Sequence, residues 1–257
     1  MSNIVAIAHK ELKGYFASPI AYVVIGLYAV MFGYFFYALL LDFDRQSMQM
    51  AGLGGGGGGA VNVNEQLIRP VFLNTTVIFL FILPMVTMRT YAEEKRSGTI
   101  ELLLTAPLTD FQIIAGKFLG AMGLYAAMLA ITLPHIGLLF YLGNPEWVPI
   151  VITYLGLLLM GGCFISVGLF ISSLTKNQIV AVMATFTVFL MLWVINWIAS
   201  FTGPRTQEIL NYLSITDHLD DFTRGVIDTK HLVYYFSFIS FGLYLTMRSV
   251  DTERWRG

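Results

Sequence analysis

Four groups of residues in this 257-residue chain have side chains that perform chemistry elsewhere. Glu93 and Glu94 stand together and open a Glu-Glu-x-x-x-Arg pattern used by one class of intramembrane proteases, but Gly98 occupies the arginine position. Glycines 54–59 suggest a phosphate cradle. A P-loop, however, needs Gly-Lys-Ser/Thr opening a helix after a strand, and here Ala60-Val61-Asn62 follows. Gly116-Lys117 runs into Phe118 and has no such pattern either. Asp217, His218, Asp220 and Asp221 are ligand types for a divalent cation. Closely spaced acids in one polar loop make a weak metal pattern, and the preferred reading is a solvated or interfacial loop. Cys163 is the single cysteine, which excludes an intrachain disulfide and a cysteine metal site. Neither GxSxG nor HExxH occurs. The expectation is a chain with no catalytic residue, no metal, no cofactor and no ATP-binding motif of its own.

The elements that carry these residues are set by hydropathy. The hydrophobic share is 56% and the mean hydropathy +0.71, well above soluble domains. Apolar runs cover Ile20–Leu41, Val71–Met88, Phe118–Leu142, Trp147–Leu174, Ile179–Phe201 and Leu232–Met247, and none contains Asp, Glu, Lys or Arg. About 20 helical residues cross a hydrocarbon core of about 30 Å. The expectation is therefore an all-α polytopic membrane protein with six transmembrane helices, forming a single domain over 1–257. The first run is too long for a signal-peptide core and is read as a retained span.

Cation placement sets the orientation. With the N-terminus cytoplasmic, the inside segments hold Lys10, Lys13, Arg89, Lys95, Arg96, Lys117, Lys176, Arg248, Arg254 and Arg256. The outside segments hold Arg45, Arg69, Arg205, Arg224 and Lys230, so both termini are expected inside. The net charge of −1 does not point to nucleic acid. Within 1–19, Ile4, Ile7, Leu12 and Phe16 punctuate a polar stretch carrying Lys10, Glu11 and Lys13, a pattern for an interfacial helix against membrane lipids. Residues 42–70 are expected to be an outer glycine-rich flexible loop, and 202–231 an outer loop with short amphipathic pieces around Leu210, Leu213, Leu219, Phe222 and Val226. Thr132, His135, Ser166, Thr185, Thr187 and Asn196 are expected to hydrogen-bond between spans. Gly116/Gly120 and Gly162/Ser166 have small-xxx-small spacing, and Trp193 and Trp197 share a helical face. Both features fit either packing within the chain or a subunit interface. Pro134 should kink the third span.

Charge is concentrated in the cytoplasmic segment 89–117. A charged helical stretch, YAEEKR, meets Ser97-Gly98, and TIELLLTAP follows as a second short helix stopped by Pro107. Gly98 supplies a hinge and Thr99 a cap. Ile100, Leu103 and Leu104 gather on one face of the second piece, opposite Glu101 and Thr105. Exposed apolar side chains in such a loop need a cover.

The stretch MRTYAEEKRSGTIELLLTAPLTDFQIIAGKFLGA resembles the signature of type-2 ABC transporter permeases. The Lys10-Glu11 helix before Pro19 and the closing TRGVIDTKHLVYYFSFISFGLYLTMRS extend the likeness, the latter being similar to gliding-motility-associated permease subunits. The resemblance implies a permease of a bacterial inner membrane that pairs with a second permease subunit, as homo- or heterodimer, and with ABC ATPase subunits. It implies that Glu93, Glu94, Lys95, Arg96, Gly98, Thr99 and Glu101 belong to a coupling segment between the second and third spans, and that Leu102, Leu103 and Leu104 fill a groove of the ATPase. ATP hydrolysis by the partner would then drive export by alternating access. The alternative is a membrane module that transmits force to a motility or cell-envelope machine without a transported substrate.

Overall fold

The computed structural model describes residues 3–52, 62–105 and 107–254, and every regular element among them is helical. Glycines 54–59 and Arg256 lie outside the described residues. Helix α1 spans Asn3–Ala17 and ends where Pro19, which has no N–H to donate, opens α2 (Pro19–Gly52). A single π-helical turn, Asn64–Ile68, leads into α3 (Arg69–Thr87), followed by α4 (Arg89–Ser97) and α5 (Thr99–Thr105). Then come α6 (Asp110–Ala130), α7 (Leu133–Leu142), α8 (Trp147–Leu174) and α9 (Gln178–Ala199). The chain closes with α10 (Pro204–Leu213), α11 (Ile215–Thr223) and α12 (Thr229–Arg254).

Five stretches are long and apolar enough to cross a membrane: Pro19–Gln49, Asn64–Ser97, Asp110–Leu142, Trp147–Leu174 and Gln178–Ala199. The expected sixth run lies inside α12, which packs lengthwise on α8. At 16 residues the run is short, it carries Tyr234, Tyr235, Ser237, Ser240, Tyr244 and Thr246, and Lys230, His231 and Arg248 bound it, so it is not among those five stretches.

Two boundaries expected from hydropathy are corrected. The helix that begins at Pro19 continues through Asp42 to Gly52, so the first part of the expected outer loop is helical. Charge at Asp42, Asp44 and Arg45 marks an exit from hydrocarbon and not a helix end; Gln46 Nε2 donates to Asp42 Oδ2 at 2.8 Å along the same helix. The 202–231 segment is likewise mostly helical. There α11 buries Ile215, Leu219 and Phe222, as the amphipathic pattern predicts, while Leu213 and Val226 remain exposed.

The third span breaks where Pro134 requires it. No N–H exists at Pro134 to meet the Ala130 carbonyl, and the chain tightens through Ile131 N–H to Met128 O at 3.1 Å and Thr132 N–H to Leu129 O at 3.0 Å. Helix α8 is the centre of the bundle, buried along most of its length against α3, α6, α9, α11 and α12. Tyr125 of α6 donates to the α8 carbonyl of Leu157 at 2.7 Å, and its ring meets Phe79 of α3 edge-on with centroids 4.7 Å apart.

Both small-residue pairs are used within the chain. A Cβ added at Gly116 would lie 2.6 Å from Ile7 Cβ, and one at Gly120 the same distance from Glu11 Cβ, so α1 sits directly on the α6 backbone. Gly162 faces Ile239 and Ser166 faces Gly242, both on α12. The polar side chains of the spans divide, Asn196 reaching Asp217 of α11 as expected. Ser166 and Thr187 return to carbonyls of their own helices, because a carbonyl one turn back is within reach and has a second lone pair. Thr132 does both, donating to Leu129 O and bonding Tyr154 of α8. The His135 ring meets Phe32 and Phe36 of α2 edge-on.

Candidate functional site

The charged segment is held by three helices that reach it from different parts of the chain. At its centre is Lys117, in the second turn of α6 and 1% exposed. Its Nζ donates to Glu94 Oε1 at 2.7 Å, to Glu11 Oε1 at 3.0 Å and to the Thr90 carbonyl at 2.9 Å. All three donors of the ammonium are thereby used. The same nitrogen stands 5.1 Å from the Tyr91 ring centroid. Lys10 Nζ lies 3.9 Å from Glu11 and 4.0 Å from Glu94, so two cations balance two carboxylates. A buried ammonium persists only where such partners replace its water. Helices α1, α4 and α6 are therefore tied at one point by charge.

A second tie joins α4 to α8. Ser172 Oγ accepts from the N–H groups of Tyr91 and Ala92 at 3.1 Å each and donates to Met88 O at 2.9 Å. The first N–H groups of a helix have no partner within it, and Ser172 supplies one from another helix. Buried Lys95 bonds the Ser173 carbonyl and Glu253 of α12, while Ser249 donates to the same carbonyl at 3.3 Å.

A third set closes the side facing α1. Arg89 grips Glu93 through Nε at 2.7 Å and a terminal nitrogen at 3.2 Å, and donates to Ser18 Oγ at 3.1 Å. Tyr15 donates to Val86 O at 3.2 Å, and burial pushes its hydroxyl up to about 12, so it remains a donor. Between α1 and α4 lies a groove of about 310 Å³ walled by Lys10, Gly14, Arg89, Glu93, Ser97 and Thr99. Glu94 Oε2 in this wall is buried and has no hydrogen-bond partner among the described residues.

The residues expected to couple thus divide. Glu94 and Lys95 point inward and anchor the segment to the bundle, and Glu93 pairs along its own helix. Arg96, Ser97, Thr99 and Glu101 are exposed, whereas Ile100 is buried. Gly98 ends α4 at φ 73°, a left-handed conformation that sets the angle between α4 and α5. The side chains of Leu102, Leu103 and Leu104 lie outside the described residues. Of the α1 charges, Lys10 and Glu11 join the Lys117 cluster and Lys13 is exposed. Lys117, Ser172, Ser173, Arg89 and Glu253 are missed by sequence reasoning. Lys117 reads there as one more cytoplasmic charge, and its only signal is the glycine pair flanking it at 116 and 120.

On the opposite side the acids of the polar segment face separate partners. Asp217 bonds Asn196 of α9, Asp220 bonds Arg69 at the start of α3, and Asp221 bonds His231 Nε2 at 2.7 Å. Buried His218 sits between Tyr212 O, 2.9 Å from its Nε2, and His231 Nδ1, which faces its own Nδ1. Burial, reinforced by His231 and Lys230, holds the His218 ring below its ordinary value despite the Tyr212 carbonyl.

The arrangement as a whole is a charged socket at one end of an apolar bundle. A family model described as an ABC-2 family transporter protein matches residues 5–247. No curated protein matches the chain significantly.

Proposed function

This chain belongs to the ABC-2 transporter protein family, and from that premise we propose that α4, α5 and the adjoining face of α1 receive a separate ABC ATPase subunit. The chain is a multi-pass membrane permease component of an ABC transporter. In the proposed scheme the ATPase performs the hydrolysis and pushes on α5, and α4 carries the displacement into α6, α8 and α12. The observation that supports this is the fixing of α4 by Lys117, Ser172 and Lys95, with the next helix set off at Gly98 and exposing Arg96, Thr99 and Glu101. A segment built to transmit motion needs a stiff attachment on one side and a free contact face on the other.

The rest of the assembly follows from the same reading. Helix α12 serves as the sixth span, both termini are cytoplasmic, and the membrane is a bacterial inner membrane. A second permease subunit, identical or related, completes the path, and alternating access exports the substrate. The gliding-motility-associated subunits are the subgroup this reading favours, on the likeness of the C-terminal segment.

The test is Glu101→Lys in the full chain co-expressed with its ATPase. Membrane insertion should be retained, while the ATP hydrolysis that depends on the permease falls by at least about tenfold, as expected for loss of a contact near 1.4 kcal/mol. Unchanged hydrolysis with unchanged co-purification would overturn the docking face.

A further inference from the structure

A cleft of about 260 Å³ opens between the start of α6 and the second half of α12, lined by Phe111, Ile114, Ser240, Leu243, Tyr244 and Met247. It faces outward from the bundle: Phe111 is 64% exposed and Tyr244 47%. The lining is apolar apart from two hydroxyls. Immediately beyond it along α12 stands Arg248, its guanidinium 5.7 Å from the Tyr244 ring centroid and its Nε donating to the Tyr244 hydroxyl at 3.1 Å. The terminal nitrogens of Arg248 have no protein partner among the described residues. Asp251 acts on them electrostatically without forming an ion pair.

Depth selects the occupant. The Lys95–Glu253 pair lies one to two turns beyond Arg248 on α12, in the charged layer, so Arg248 stands where apolar surface gives way to charge. With α12 as the sixth span proposed above, the stretch from Met247 back to Ser240 descends about 10 Å, or two thirds of the roughly 15 Å that one leaflet contributes. A water-soluble ligand would find few polar partners at that depth. A hydrocarbon chain finds a continuous apolar wall, and a phosphate at its head finds an arginine with unused donors. We propose that this cleft holds one acyl chain of an anionic phospholipid whose phosphate pairs with Arg248. The site rests on the reading of α12 as a span, but needs neither the ATPase nor the coupling segment.

The test uses the full chain in nanodiscs of mixed phosphatidylcholine and phosphatidylglycerol, doped with phosphatidylglycerol bearing a diazirine midway along one acyl chain. After illumination, peptides covering 240–247 and 111–115 should carry more adduct than the equally lipid-facing 180–191 stretch of α9. Arg248→Gln, a change at an exposed side chain, should reduce the cleft adducts roughly fivefold, the worth of one cation near an anionic surface, and leave the α9 adducts unchanged. Leu243→Trp, which fills the cleft, should remove the excess. A phosphatidylcholine probe should label cleft and α9 alike. Uniform labelling with the phosphatidylglycerol probe, an excess indifferent to Arg248→Gln, or an equal excess with phosphatidylcholine would each overturn the proposal.

Discussion

Replacing Lys117 by methionine keeps the volume of the side chain and removes the charge on which α1, α4 and α6 converge. At an effective dielectric constant near 20, the attraction of the ammonium to Glu94 at 2.7 Å is about 6 kcal/mol before solvation, and to Glu11 at 3.0 Å about 5.5 kcal/mol. Desolvating three ions consumes most of that, so the intact cluster adds little net stability. The variant is different, because it leaves two carboxylates, 15% and 17% exposed, to share the exposed Lys10 at 3.9–4.0 Å as their one remaining cation within ion-pair reach among the described residues. Breaking a buried pair in this way costs about 3–5 kcal/mol. The cost should appear first in α1, whose other attachments to α6 are the packing at Gly116, Gly120 and Gly123 and an exposed hydrogen bond from Asn3 to Gln112. Amide hydrogen exchange of residues 4–16 in the detergent-solubilised chain should accelerate by between about 150-fold and about 5,000-fold, at 1.36 kcal/mol per decade. A triple variant, Lys117→Met with Glu11→Gln and Glu94→Gln, leaves no stranded charge and should recover most of the protection. The reasoning is refuted if α1 exchanges at the wild-type rate in Lys117→Met, or if the triple variant is as labile as the single one.

Three further changes report on other contacts. Gly120→Leu forces a side chain against Glu11 Cβ and the Ala8 carbonyl of α1, and thermal unfolding should reveal a loss of about 1–3 kcal/mol; an unchanged midpoint would mean that α1 does not sit on α6. Ser172→Ala deprives Tyr91 and Ala92 of their shared acceptor, and exchange at those two amides should quicken by an amount equivalent to about 1–2 kcal/mol. Because burial lowers the His218 pKa in the folded chain, the unfolded chain takes up a proton on that ring at a higher pH than the folded chain does. Stability in α11 should therefore be full above about pH 6.5 and fall as the pH drops below it, while His218→Gln flattens that profile; a wild-type profile that is flat from pH 7.5 to 5 would contradict this.

The sequence was most informative where one physical signal dominated. Five of the six apolar runs match helices able to cross a membrane, because backbone polar groups in hydrocarbon leave the helix as the available form. Pro134 announced its break for a similarly local reason. The helix α1 was legible from the spacing of Ile4, Ile7, Leu12 and Phe16, all of which are at least partly covered. What hydropathy did not reveal was continuity past a charge, so the helical stretch Asp42–Gly52 read as loop. Nor did it show direction. Lys117 and Arg96 are both cations beside an apolar run, and only the packing of α1 onto Gly116 and Gly120 turns one inward while the other faces solvent. Contacts between Lys95 and Glu253, 158 positions apart, leave no local trace at either end.

The uninterrupted helix from Pro19 to Gly52 also sets a height. Its 34 residues rise about 51 Å, against a hydrocarbon core of about 30 Å. With Pro19 near one boundary and little tilt, about 20 Å of helix stands clear of the opposite one. Residues 42–52 therefore form a helical post beyond the lipid boundary, and a partner that grips this part of α2 meets the protein at a stand-off from the hydrocarbon.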